Sequence, residues 1–290
     1  MPPFNVPEPL KILEKPEEID AFTASARAAG KRIGFVPTMG ALHEGHLSLI
    51  SRALCECDVV ICSIFVNPTQ FNDPKDYERY PRVMDEDVKM LESVGCHAVF
   101  APSEKIIYPD ESFKLQIDFG FLETVLEGKH RPGHFKGVGM VVKRLFEVVK
   151  PDRAFFGLKD YQQVMVIKEL VRQFSIPVEI IGMPTIREAD GLAMSSRNRL
   201  LSPEERTTAL HLSRVLREAK AVFGKTSIAD LKSNAIRELE ALPNVKVDYF
   251  EISDGHTLQT IHVPSESSLP VALLAVFVGK VRLIDNMFLV

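Results

Sequence analysis

Through residue 187 the chain alternates short apolar runs with stretches of helical periodicity, and that alternation restricts it to a parallel sheet wrapped by helices. Residues 33–36, 58–66, 97–101, 153–156 and 178–182 read as strands. The run 58–66 is almost continuously apolar, as a strand covered on both faces requires. Helical spacing recurs at Leu47, Leu49, Ile50, Ala53 and Leu54, and again through 83–94, 138–149 and 161–174. After Gly191 the character changes: 203–223 and 227–242 are predicted helices, and 245–252 and 271–278 predicted strands. The predicted fold is α/β, a Rossmann-like parallel sheet in residues 1–187 followed by a smaller C-terminal α+β domain in residues 188–290. The dinucleotide fingerprint and the Walker P-loop are both absent, and Gly137-Val138-Gly139 reads as a closely packed helix start.

The turn after the first of these strands carries the strongest chemical signal. Residues 36–46 read Val-Pro-Thr-Met-Gly-Ala-Leu-His-Glu-Gly-His, with Pro37 and Gly40 punctuating the passage from strand to helix. His43 and His46, three apart, are predicted to project from one face of the first helical turn, beside backbone N–H groups that lack intrahelical partners. Such a helix start attracts phosphate through its free donors and its dipole, and Gly40 and Gly45 allow close approach to the backbone. Zinc is the competing reading. The helical metalloprotease pattern, however, needs a spacing of four with Glu after the first His. Cys55-Glu56-Cys57 is likewise not a metal-binding Cys-x-x-Cys. The acidic run Asp85-Glu86-Asp87 suits a helix start through the dipole whatever its function, so no metal ligand is assigned.

Two more loops fall beyond strand ends, where open α/β sheets bind ligands. In residues 67–82 the amide of Gln70 can donate and accept, which suits a ligand with hydroxyl and carboxylate groups, although Asn67-Pro68-Thr69 is also ordinary turn chemistry. Gly157-Leu158-Lys159-Asp160 places backbone donors and one ammonium at a ligand-facing edge, and Lys159 is the expected phosphate clamp. Arg131, His134 and Lys136 form a basic loop that serves either substrate or the surface equally well. Tyr161 and Gln162 read as site residues or as surface helix residues.

Composition narrows the class of partner. The 290 residues are 46% hydrophobic and 26% charged, a globular balance, and the net charge of −4 offers no basic field for nucleic acid or anionic lipid. Phosphate binding must be local. Four cysteines, at 55, 57, 62 and 96, are too few for a disulfide framework and favour a reducing compartment. No stretch approaches the roughly 20 apolar residues of a membrane span, and Met1-Pro2-Pro3-Phe4 opens no signal peptide, so a cytoplasmic location is expected.

The run Pro37 to His46 resembles the His-x-Gly-His signature of nucleotidyltransferases related to class I aminoacyl-tRNA synthetases. Its full wording is similar to the pantothenate synthetase (pantoate–β-alanine ligase) family. Phe65-Val66-Asn67-Pro68-Thr69-Gln70-Phe71, Tyr80-Pro81-Arg82, Arg131-Pro132-Gly133-His134-Phe135 and Phe156-Gly157-Leu158-Lys159-Asp160-Tyr161-Gln162-Gln163 match that family in order. So do the segment from Arg187 to Asn198, which contains Ala193-Met194-Ser195-Ser196-Arg197, and Arg282-Leu283-Ile284-Asp285-Asn286. The resemblance implies ATP-dependent condensation of (R)-pantoate with β-alanine through a pantoyl adenylate, releasing AMP and pyrophosphate. It implies MgATP as a substrate complex, no tightly bound organic cofactor, and a homodimer.

Carried over residue by residue, the resemblance gives catalytic roles to His46, His43 and Lys159. It gives ATP contacts to Met39, Gly40, Ala41, Leu42, His43, Glu44, Gly45 and His46, and to Gly157, Leu158, Lys159 and Asp160. Ile186 becomes an adenine contact. Met194, Ser195, Ser196 and Arg197 become a triphosphate loop similar to Lys-Met-Ser-Lys-Ser. Gln70 is assigned to pantoate and β-alanine, and Gln163 to pantoate. Many relatives have Glu where this chain has Leu158, so at that position a backbone role is the one expected. Two rivals share the His pair: a sibling nucleotidyltransferase that adenylylates a phosphorylated substrate, and a nucleotide-binding protein without turnover.

Overall fold

A computed structural model describes residues 9–109, 117–263, 265 and 268–290. The chain forms two compact units. One consists of Met1–Thr124, Arg131–Leu158 and Gln163–Pro184, and the other of Val125–His130, Lys159–Gln162 and Thr185–Val290.

The first unit is built on β1 (Lys11–Leu13), β2 (Ile33–Thr38), β3 (Val59–Ile64), β4 (Ala98–Phe100), β5 (Arg153–Gly157) and β6 (Glu179–Met183). These six strands form one parallel sheet in the order β1-β4-β3-β2-β5-β6. Alternation along each strand supplies both faces of the core. Phe35, Ile61, Ala98 and Phe156 pack with Val138, Val142 and Phe146 of helix His134–Val149. Their chain neighbours Val36, Cys62, Val99 and Phe155 pack with Leu49, Ile50 and Ala53 of helix Glu44–Glu56. Cys62 therefore serves as a small hydrophobe, and burial pushes its thiol well above the ordinary range.

The predicted strands and long helices are present, with ends that coincide or shift by at most four residues. Three differences have local causes. Pro37, expected in the turn, lies inside β2; its missing N–H is tolerated because the ladder to β5 ends at Phe35↔Ala154. The edge strand β1 is three residues long, too short to show a period. Helix Pro16–Ala28 buries only Ile19, Thr23 and Ala26, too sparse an apolar stripe for its period to stand out in the sequence.

The second unit contains the antiparallel sheet β7 (Val245–Asp254), β8 (Pro270–Val278) and β9 (Val281–Phe288) in that order. Helices Pro203–Val222 and Ile228–Glu240 bury Leu212, Leu216, Leu231 and Leu239 against Leu274, Val276 and Leu283. Each helix begins on a serine cap: Ser202 accepts from Glu205 N–H at 3.2 Å, and Ser227 from Asp230 N–H at 3.0 Å. β9 follows β8 across the two-residue turn Gly279–Lys280; its sequence is recognisable as a motif but not as a strand.

A polar cluster also belongs to this unit. A bulge between Val247 and Tyr249 leaves Asp248 to accept from Arg282 Nε at 2.8 Å. The two terminal nitrogens of Arg282 donate to the two carboxylate oxygens of Glu127, each at 2.8 Å. Tyr249 donates to the same carboxylate at 2.9 Å, and burial, then the Glu127 charge, raises its hydroxyl well above the usual value.

Candidate active site

Strand order reverses at β2, with β3 and β4 to one side and β5 and β6 to the other, and ligands of such sheets bind beyond the carboxyl ends of the strands at that point. The chain leaving β2 there makes a tight turn. Gly40 has φ +77 and Ala41 φ +50, both left-handed, and His43 caps the start of helix Glu44–Glu56 in extended conformation. The imidazoles of His43 and His46 lie side by side, ring centroids 4.1 Å apart and tilted by 33°, as the three-residue spacing predicts.

The donors around them are more restricted than the sequence suggests. His46 N–H donates to His43 O at 2.7 Å. Ala41 and Leu42 N–H donate to Oδ2 and Oδ1 of Asp87 at 2.9 and 2.7 Å. Unpartnered amides therefore do not line the whole turn; among the described residues they remain at Glu44 and Gly45. Asp87 is 1% exposed, a buried clasp where the sequence suggests only an acid favoured by the helix dipole. No local signal marks it, because its partners are backbone amides more than forty residues away.

The segment after β3 is equally built. Asn67, 1% exposed, donates from Nδ2 to Gln70 Oε1 at 3.1 Å and to Gly137 O at 3.2 Å. Its Oδ1 accepts from Tyr108, at 2.8 Å, and from Thr69 Oγ1, at 2.9 Å. Burial pushes the Tyr108 hydroxyl up to about 12, so it remains a donor. The Gln70 Nε2 group reaches Met39 Sδ at 3.1 Å, tying this turn to the one that carries the histidines. Gly137 is required here, because a Cβ would sit 2.4 Å from Thr69 O and 2.9 Å from Gln70 Cα.

Arg131 and His134 are resolved in favour of this loop. His134 Nδ1 lies 2.8 Å from Gln70 O, and Arg131 donates to that carbonyl at 3.3 Å and approaches His134 Nε2 at 3.1 Å. One tautomer satisfies the set, with Nδ1–H donating to Gln70 and Nε2 accepting from Arg131. Gln163 lies half-buried in the first turn of helix Tyr161–Phe174. At the end of β5, Leu158 packs against the core and fills the space beside Gly182, so its side chain does packing work.

In the second unit, Lys159 lies 3.8 Å from Asp160, and its carbonyl accepts from Asn286 at 2.8 Å. Tyr161 and Gln162 are buried and therefore not surface residues: Tyr161 donates to Gly255 O at 2.7 Å, and Gln162 bridges Val125 O and Glu127 N–H. Ile186 is 37% exposed, and its carbonyl accepts from Met194 N–H at 3.0 Å. Ser195 Oγ accepts from Arg197 N–H at 3.2 Å and so caps the turn Ser196–Leu200. Asn198 fastens that loop to Glu188 and to Ala193 O at 2.7 and 3.0 Å.

Comparison with known proteins identifies the family. The family model for pantoate-beta-alanine ligase matches residues 11–288. A pantothenate synthetase of Porphyromonas gingivalis is 47% identical over 277 residues, spanning 96% of this chain and 98% of that protein. The crystal structure of a pantothenate synthetase from Thermus thermophilus superposes with a TM-score of 0.89 at 41% identity, covering 97% of this chain and 99% of that one. The Francisella tularensis pantoate-beta-alanine ligase, complexed with beta-gamma ATP and beta-alanine, gives 0.80 at 39% identity over 97% and 98% of the two chains. The chain belongs to the pantoate–β-alanine ligase family of enzymes.

Proposed function

We propose that this chain condenses pantoate with β-alanine at the expense of MgATP, in two half-reactions. The observation that carries the reading is the paired imidazoles at the start of helix Glu44–Glu56, at the carboxyl end of β2, within a chain that matches the family over residues 11–288. A pantoate carboxylate oxygen attacks the α-phosphorus, and the bond to the β-phosphate oxygen breaks, pyrophosphate leaving with the electron pair. The β-alanine amine then attacks the acyl carbon of pantoyl adenylate, the acyl–oxygen bond to AMP breaks, and the amine gives up a proton.

The carboxylate needs no base, so the protein's contribution is alignment and charge stabilisation. His43 and His46 donate to phosphate oxygens, joined by the free N–H groups of Glu44 and Gly45. Met39 and Gly40 shape that turn, whereas Ala41 and Leu42 serve it through Asp87. Gly157, Lys159 and Asp160 border the nucleotide, Leu158 through its backbone, and Ile186 receives adenine. Met194, Ser195, Ser196 and Arg197 follow the charge on departing pyrophosphate and keep water off the adenylate. Gln70 holds both small substrates, and Gln163 holds pantoate. Residues 1–187 act as the nucleotide- and pantoate-binding domain and 188–290 as its lid, in a homodimer working in the cytoplasm.

Isotope exchange between pyrophosphate and ATP tests this. Exchange should require pantoate, and AMP release should then require β-alanine. Exchange without pantoate, or activity only with a phosphorylated acceptor, overturns the reading in favour of a sibling nucleotidyltransferase; no exchange at all favours a nucleotide-binding protein without turnover.

Gly137→Ala provides a specific check on Gln70. The new Cβ pushes Thr69 and Gln70 out of place, so KM for pantoate should rise about 10-fold or more while KM for ATP stays within about twofold. Steady-state rates with each substrate varied decide it, and an equal rise in both constants removes Gln70 from the pantoate site.

A further inference from the structure

The Arg282–Asn286 motif matches the family but has no place in the chemistry above, and its geometry is unusually directed. Along β9 the side chains alternate between two faces. Val281 and Leu283 pack into the core beneath the helices, whereas Arg282, Asn286 and Phe288 engage the two segments that come from earlier in the chain. Arg282 holds Glu127, Phe288 packs edge-on against Tyr161 at 5.6 Å, and Asn286 donates from Nδ2 to the carbonyl of Lys159 at 2.8 Å. Asp285 takes both terminal nitrogens of Arg187, at 2.7 and 2.9 Å, and the Asn286 carbonyl accepts from the same guanidinium at 3.2 Å. Arg187 in turn holds Gly191 O at 3.2 Å, at the base of the loop that carries Met194 to Arg197.

We propose that Asn286 is a positioning residue for Lys159, and that with Asp285 it ties Lys159 and the Arg187–Arg197 loop to one rigid strand. The inference rests on the reading of Lys159 as a phosphate clamp. A lysine ammonium rides on a flexible four-carbon stem, so the place it can reach is set by where its Cα is held. Lys159 sits in a three-residue 3-10 turn, Leu158–Asp160. Asn286 is 6% exposed and pins that turn at Lys159 itself. Because Asp285 also accepts from Asn286 N–H at 2.7 Å, the two groups that meet the triphosphate share a single anchor.

A double-mutant cycle on the full chain tests this. Asn286→Ala should lower kcat for pantoate-dependent pyrophosphate–ATP exchange about 10-fold, the scale of a misplaced charge stabiliser, with KM for pantoate unchanged. In a Lys159→Ala background the same substitution should produce no further loss beyond about twofold, because the group it positions is gone. Equal factors in both backgrounds make Asn286 a general stability residue and overturn the proposal. Wild-type exchange in Lys159→Ala alone overturns the Lys159 reading and the proposal with it, which separates the two failures. Should Asn286→Ala not fold, Asn286→Asp keeps the volume, removes the donor and is run through the same cycle with the same deciding outcomes.

Discussion

A His46→Ala variant is expected to lose pantoate-dependent pyrophosphate–ATP exchange by about 100-fold or more, the order seen when one preorganised transition-state donor is removed. The loss should fall on kcat. His46 occupies the first turn of helix Glu44–Glu56, half-buried, with its backbone N–H already bonded to His43 O at 2.7 Å. Alanine preserves that bond and is the best helix former, so the thermal midpoint should hold within a few degrees. Loss of activity with retained stability assigns the effect to the imidazole. His43→Ala should be milder in exchange, because its ring lies against His46 at 4.1 Å and part of its contribution passes through that neighbour. Exchange at the wild-type rate in His46→Ala would remove the histidine pair from the chemistry.

How much of this was legible in the sequence depends on whether a residue's partners are local. The parallel sheet was readable because β2, β3, β4 and β5 are covered on both faces and appear as mainly apolar runs between helical periods. The pairing of His43 with His46 follows from helical geometry alone. β9 was missed as a strand because Asp285 and Asn286 interrupt its apolar alternation, and both are buried only through bonds to Arg187 and Lys159, far away in sequence. The same applies to Glu127, whose buried carboxylate is balanced by Arg282 at a separation of 155 residues. Tyr80-Pro81-Arg82 matches the family yet serves packing: Tyr80 meets Phe71 edge-on at 5.8 Å, and Arg82 stacks on Tyr77 at 4.8 Å. A motif therefore marked a functional region without telling apart the residues that touch substrate from those that shape the turn around it.

Asp87 is the sharpest case of the second kind, and its substitution should be as damaging as that of a histidine. Two consecutive left-handed residues are unfavourable for an L-amino acid chain, and Ala41 at φ +50 carries roughly 1–2 kcal/mol of that strain. The carboxylate of Asp87 offsets it by accepting from the N–H groups of Ala41 and Leu42 at once. Replacement by alanine strands two buried amides, each worth about 1–3 kcal/mol of lost solvation, so a destabilisation of about 2–6 kcal/mol is expected by urea denaturation. Asp87→Asn keeps the shape but turns an NH2 toward one amide, and should lose about half as much. At a temperature where both variants remain folded, exchange should still fall about 100-fold, because His43 starts the helix directly from this turn and a shift near 1 Å misplaces both rings. Gly40→Ala should reach the same state from the opposite side, since its Cβ would sit 2.9 Å from Asp87 Oδ2. Combining Gly40→Ala with Asp87→Asn should then give less than the product of the two separate losses. An Asp87→Asn protein with native stability and native exchange would show that the turn holds its shape without the carboxylate.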